Sequence, residues 1–342
     1  MSSPAMTRRA ALAGASAALL AASAARAAAP RGFDPRALAR AMDQARALEQ
    51  LHAVVVARDG DIAAAEAFRG PPLDRPVNVK SVSKSVVAAL LGCALERGEV
   101  PGLDARFAEI APGLIPAGAD PRVREITLEH LVTMQAGLER TSGANYGPWV
   151  QSRNWVAHAL TRPFSAPPGT RMQYSTGSFH LLGAALSEAS GRSLLTLARE
   201  RLGAPLNVDI PAWTRDPQGF YMGGNEMALS PLAMLRFGEA HRQGGVWNGA
   251  RLFAEDWVAA AWTPRTRSPW SGDAYGLGWF LRDAGGVRVA YARGFGGQMI
   301  FVAPEAGVTV AITSDPSRPA RSEGHAGALQ DLFARLVLST AA

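Results

Sequence analysis

The chain has 342 residues, 48% hydrophobic and 19% charged, with a formal net charge of +6 and a single cysteine. Its positive charge is scattered arginine, with no run of five or six like charges, so a nucleic-acid footprint is excluded. One cysteine excludes an internal disulfide. Cys93, within the apolar run VVAALLGCAL, reads as a buried small hydrophobe.

At the N-terminus, Thr7-Arg8-Arg9 opens an alanine-rich apolar run that ends in Ala25-Arg26-Ala27. A charged start, an h-region too short to span a bilayer and a small-x-small end predict a signal peptide of the twin-arginine type over residues 1–27. The expected destination is the periplasm or the medium. Loss of Arg8, Arg9 and Arg26, with no acid among those residues, lowers the formal charge from +6 to +3. Residues 28–342 are expected to form a single domain, and they contain no further run long enough for a membrane span.

A helix is predicted over 35–51, where Leu38, Met42, Ala45 and Leu48 recur at spacings of three and four. The runs 52–57 and 62–68 flank Arg58-Asp59-Gly60-Asp61 and predict a hairpin. Helical patterns follow at 81–97, 127–136, 152–161, 177–190, 193–202, 230–243 and 254–262. The period then changes, and strands are predicted at 275–282, 287–291, 298–303 and 308–314, joined by turn-forming stretches. A helix over 324–338 closes the chain. Strands at both ends with helices between predict one antiparallel sheet lobe, about 34–80 plus 266–342, with a helical lobe inserted over about 81–265.

Only two lysines occur among the 35 lysines and arginines, and both lie in VNVKSVSKSVVAALLG, as Lys80 and Lys84. Ser81-Val82-Ser83-Lys84 stands where the hairpin region gives way to a helix. One turn apart on a helix, Ser81 and Lys84 share a face, and unpaired N–H groups at the helix start suit a developing oxyanion. A desolvated lysine can act as a base, whereas arginine stays protonated. Taken alone, Ser-x-x-Lys is also compatible with a serine cap and a solvated lysine. Lys80 fits no motif; it either adds positive potential beside Ser81 or lies exposed, and the exposed side chain is the expectation.

Further along come Pro167-Pro168-Gly169-Thr170 and Tyr174-Ser175-Thr176, with Tyr174 93 residues after Ser81. Thr127-Leu128-Glu129-His130-Leu131, Gly223-Gly224-Asn225, Tyr275-Gly276-Leu277-Gly278-Trp279 and Gly296-Gly297-Gln298 follow the same order as in one known group. From about residue 50 onward the chain resembles the serine β-lactamase and penicillin-binding-protein superfamily. It most resembles the class C-like branch of esterases, D-aminopeptidases and 6-aminohexanoate-oligomer hydrolases. The resemblance implies an α/β (α+β) fold, a serine β-lactamase-like three-layer αβα sandwich. It implies Ser81 as nucleophile, Lys84 and Tyr174 as the proton-handling pair, and an oxyanion hole from the backbone of Ser81 with Gly294 or Phe295. A phenol beside a lysine ammonium is expected to have a lowered pKa.

Two positions depart from that pattern. Thr176 stands where the family has asparagine, and it can still accept a hydrogen bond from Lys84. No Lys-Thr-Gly precedes Gly296; the chain reads Tyr291-Ala292-Arg293-Gly294-Phe295, so Arg293 either clamps a carboxylate or points to solvent. Asn225 is a candidate amide at the acyl site. Tyr146, Trp149 and Trp155 are candidates for a lid, Tyr146 foremost. No metal-ligand spacing, nucleotide-binding glycine motif or Gly-x-Ser-x-Gly elbow is present, so neither a metal nor a cofactor is expected. The expected substrate is a small ester or linear amide cleaved through an acyl-enzyme, with no nucleic-acid partner and no obligate protein partner. The alternatives are a β-lactamase or D-Ala-D-Ala carboxypeptidase, and a non-catalytic peptidoglycan- or ligand-binding module.

Overall fold

The computed structural model describes residues 32–321 and 324–340, and the expected signal peptide at 1–27 lies outside them. The Asp34 carboxylate accepts hydrogen bonds from the N–H groups of Arg36 and Ala37 and so caps the helix Pro35–Ala47, with Pro35 in its first turn. This helix stops a turn short of its predicted end, because Leu51 opens strand β1 (Leu51–Arg58). Asp59 and Gly60, both at positive φ, turn the chain into β2 (Asp61–Ala67).

The remaining strands are β3 (Val77–Asn78), β4 (Ala228–Leu229), β5 (Val246–Trp247), β6 (Ala250–Arg251), β7 (Thr266–Arg267), β8 (Ala274–Tyr275), β9 (Phe280–Ala284), β10 (Val287–Gly294), β11 (Gln298–Ala303) and β12 (Val308–Ser314). Eight of them form one sheet in the order β2-β1-β12-β11-β10-β9-β8-β7, and every paired neighbour is antiparallel. The first strands therefore pair with the last, β1 lying against β12 from Leu51↔Ser314 to Arg58↔Val308.

Side-chain alternation explains the layers. On β11, Phe301 stacks on Phe333 of the C-terminal helix His325–Leu338, with ring centroids 4.5 Å apart. Its neighbours Ile300 and Val302 point the other way, toward Gly238 of the helix Pro231–Arg242. With both faces covered, β11 and β12 are buried at every residue and read as continuous apolar runs. The result is the expected α/β architecture, an antiparallel sheet between helical layers.

The predicted strand 275–282 is two strands. Gly276-Leu277-Gly278 interrupts it, and Gly278 has φ 79° with its carbonyl accepting from the Ser85 hydroxyl at 2.6 Å. A Cβ on Gly278 would lie 2.5 Å from that of Ala88. The break therefore lets the helix Ser83–Glu96 press against the sheet. That helix is buried from Ser83 to Ala94, so it has no polar face and is held by packing on all sides. Two predicted helices are clearly shorter than expected, while 177–190 is observed as Thr176–Ser190 and 230–243 as Pro231–Arg242. The 127–136 segment becomes Leu128–Val132, ending before Met134 at φ 58°. The 152–161 segment becomes Trp155–Leu160, capped by Asn154.

Candidate active site

Ser81 sits in a 3₁₀ turn, Lys80–Val82, directly before the helix Ser83–Glu96. Lys80 holds left-handed backbone at φ 51°, a conformation that costs about 1–2 kcal/mol in an L-residue. Hydrogen bonds keep it there. Its N–H donates to Asn78 Oδ1 at 2.9 Å, and its carbonyl accepts from the Ser83 hydroxyl at 2.5 Å. The Ser81 N–H has no acceptor among the described residues, which leaves it available to an oxyanion.

Lys84, one turn on and 2% exposed, points its amine back at Ser81. Lys84 Nζ lies 3.0 Å from Ser81 Oγ, 2.7 Å from the Gly224 carbonyl and 3.3 Å from Thr176 Oγ1. Burial lowers its pKa from 10.5 to about 7. As a neutral amine it keeps two donors, for Gly224 and Thr176, and one lone pair to accept the Ser81 hydroxyl proton. Thr176 is fixed in turn by Ser142, whose hydroxyl accepts its N–H at 2.9 Å and lies 3.0 Å from its Oγ1.

The Tyr174 ring stands 4.8 Å from Lys84 Nζ. Burial raises the Tyr174 pKa, while a hydrogen bond with Ser81 and the charge of Arg293 act in the opposite direction. This corrects the sequence expectation of a lowered phenol pKa. The lysine that was to stabilise a phenolate is itself desolvated toward its neutral form, which weakens the charge that would lower the phenol, and burial prevails. Tyr174 is therefore a protonated donor at neutral pH.

A cleft of about 590 Å³ opens over Ser81. Tyr146, Tyr174, Thr176, Asn225, Arg293, Gly294 and Phe295 all line it, so the sequence candidates converge on one place, with Lys84 beneath its floor. Asn225 Nδ2 donates to the Tyr146 hydroxyl at 2.9 Å, while Asn225 Oδ1 is buried without a partner among the described residues. Trp149 and Trp155 do not reach the cleft; they pack with Met222 in a cluster of their own. Arg293 forms no ion pair among the described residues. Gly294 ends β10 opposite Gln298, and a Cβ there would lie 2.4 Å from the Val79 carbonyl. Phe295 follows outside the ladder, 52% exposed, with no acceptor for its N–H among the described residues.

Several groups at the cleft carried no sequence signal. Arg140 and Ser142 come from one loop and Trp270 from another, and only the tertiary fold joins them. The Gly224 carbonyl lies in the Gly223-Gly224-Asn225 motif, but nothing in that motif announces its bond to Lys84. Trp270 stands edge-on to Tyr174 at 6.3 Å, with the Arg140 guanidinium 5.4 Å from its ring. Lys80 departs from the expectation of an exposed side chain: it is partly buried, and its Nζ lies 3.4 Å from Glu226 Oε1.

A sequence model described as Beta-lactamase matches residues 38–334 of the chain. The D-alanyl-D-alanine-carboxypeptidase/endopeptidase AmpH of Escherichia coli (strain K12) is 30% identical over 154 residues, 43% of this chain and 39% of that protein. The match thus spans about two fifths of that relative's length. Among solved structures, EstCE1, described as a hydrolase with promiscuous acyltransferase activity, superposes with a TM-score of 0.70 at 18% identity. The superposition covers 90% of this chain and 97% of that one. A D-stereospecific amidohydrolase from Streptomyces sp. gives a TM-score of 0.67 at 19% identity over 88% of this chain and 98% of its own. At such identities these structures share the fold.

Proposed function

As this chain belongs to the Beta-lactamase family, we propose that it is an exported serine hydrolase that cleaves a small ester or linear amide through a Ser81 acyl-enzyme. The observation that carries the reading is the Lys84 amine, 3.0 Å from Ser81 Oγ and lowered by burial to about 7. In this mechanism Lys84 takes the Ser81 proton as Oγ bonds to the substrate carbonyl carbon. The N–H groups of Ser81 and Phe295 hold the oxyanion. The bond to the leaving oxygen or nitrogen breaks as that atom takes the Tyr174 proton, which Lys84 replaces. Water then adds to the acyl carbon along the reverse proton route, restoring the Ser81 hydroxyl and releasing the acid. Export rests on the twin-arginine-type leader in the sequence.

A second reading, a D-Ala-D-Ala carboxypeptidase or β-lactamase, draws support from Arg293, a cleft cation suited to a substrate carboxylate, and from the AmpH similarity. The test compares the chain without residues 1–27 and its Ser81→Ala variant on a short-chain p-nitrophenyl ester, a chromogenic cephalosporin and a linear 6-aminohexanoate dimer. Ser81-dependent turnover is expected on the ester or the linear amide. Cephalosporin turnover far above both would favour the second reading. Undiminished ester turnover by Ser81→Ala would sink the nucleophile assignment, and no turnover of any substrate would leave a binding module.

A further inference from the structure

Lys80 and Glu226 line the cleft, yet the steps above use neither side chain. Both hold left-handed backbone, at φ 51° and 68°, which non-glycine residues rarely adopt. They are tied to one another and to a third residue. Lys80 Nζ lies 3.4 Å from Glu226 Oε1, and Asn78 Nδ2 donates to Glu226 Oε2 at 2.7 Å. Asn78 Oδ1 in turn accepts the Lys80 N–H at 2.9 Å.

The position of this network in the chain matters more than its strength. A pair about a quarter exposed contributes little stability by itself. Lys80, however, immediately precedes the nucleophile, so its backbone torsions aim the Ser81 N–H and hydroxyl. Glu226 ends the stretch Gly224-Asn225-Glu226, whose first carbonyl holds the Lys84 amine at 2.7 Å and whose middle side chain bonds Tyr146. One clasp therefore joins the turn that carries the nucleophile to the loop that holds its base. Left-handed conformations persist only where the surroundings over-determine them, and strain of this kind clusters at functional sites.

We propose that Lys80 and Glu226, bridged by Asn78, are positioning residues that fix Ser81 relative to Lys84 for acylation. The proposal rests on the hydrolase reading above. It gives the second lysine a task that neither the Ser-x-x-Lys spacing nor the proton relay assigns. The clasp acts through geometry, because burial is what lowers the Lys84 pKa.

The test measures labelling of Ser81 by a fluorophosphonate, followed by intact mass, with kcat and KM for a short-chain p-nitrophenyl ester across pH. Melting temperature is recorded for every variant. Glu226→Gln and Lys80→Met are expected to slow labelling and kcat by about 10- to 100-fold, the scale of a small misplacement of reacting groups. KM, melting temperature and the acid limb of the pH profile should stay as in the wild type. Lys80→Arg, which keeps the cation, should recover most of the rate. Lys80→Gly, which removes the side chain while glycine accepts positive φ without strain, should be as slow as Lys80→Met. Wild-type rates in Lys80→Gly or Lys80→Met would overturn the proposal, as would an acid-limb shift in place of a fall in kcat. Wild-type labelling no faster than in Ser81→Ala would instead remove the hydrolase reading, and the clasp with it.

Discussion

Lys84 shows at the scale of a residue why this chain keeps lysine where it otherwise uses arginine. The base of the proposed mechanism must exist without its proton, and a buried lysine with a pKa of about 7 does so in a large share of molecules at neutral pH. The proposed mechanism requires the neutral amine, so kcat/KM is expected to rise with pH through about 7. It should fall again only in alkali, above the usual tyrosine range, because burial raises Tyr174. A rate profile on the ester substrate checks both limbs; a flat profile through 7 would deny Lys84 the role of base. Lys84→Arg is expected to lower kcat/KM by about 10²–10⁴-fold, the usual contribution of general acid–base catalysis.

Elements reveal where reading the sequence succeeds and where it stops. The hairpin of β1 and β2, the buried helix from Ser83 and the strands β10 to β12 were legible because each carries its own period and turn residues. The Ser81 and Lys84 candidates were legible as a local spacing, whereas Tyr174 came from the family resemblance, and it is the fold that brings it to the same cleft. The split of 275–282 into β8 and β9 was not legible, since it answers to Ala88 and Ser85 of a helix far away in sequence. The same holds for Ser142 and Trp270, which no spacing announces, and for the bond from Lys84 to the Gly224 carbonyl. Gly278→Ala puts this tertiary origin to the test. It adds a methyl 2.5 Å from Ala88 at a φ of 79°, so a loss of about 1–3 kcal/mol is expected from overpacking, before backbone strain. Urea unfolding measures it, and an unchanged midpoint would mean that the helix and the glycine turn do not pack as described.

For the whole molecule, the same lysine is a liability. Its folded pKa of about 7 lies below the unfolded 10.5, so the unfolded chain binds more protons between those values. Its cost to stability is therefore full below about 7 and fades as pH rises toward 10.5. Lys84→Met, which fills the space without the amine, is expected to be inactive and more stable, by an amount on the order of a few kcal/mol at pH 6 and much less at pH 10. Denaturation at the two pH values checks the sign. A variant less stable than wild type at pH 6 would show that the bonds to Gly224 and Thr176 outweigh desolvation.

The pairing of β1 with β12 also has a consequence in time. Translation delivers Ser81 and Lys84 early, but the cleft residue Phe295 and the strand that seats β1 emerge roughly two hundred residues later. Contacts so distant along the chain form slowly. A ribosome carrying two thirds of this protein has therefore delivered Ser81 and Lys84 before the strands that complete the cleft around them.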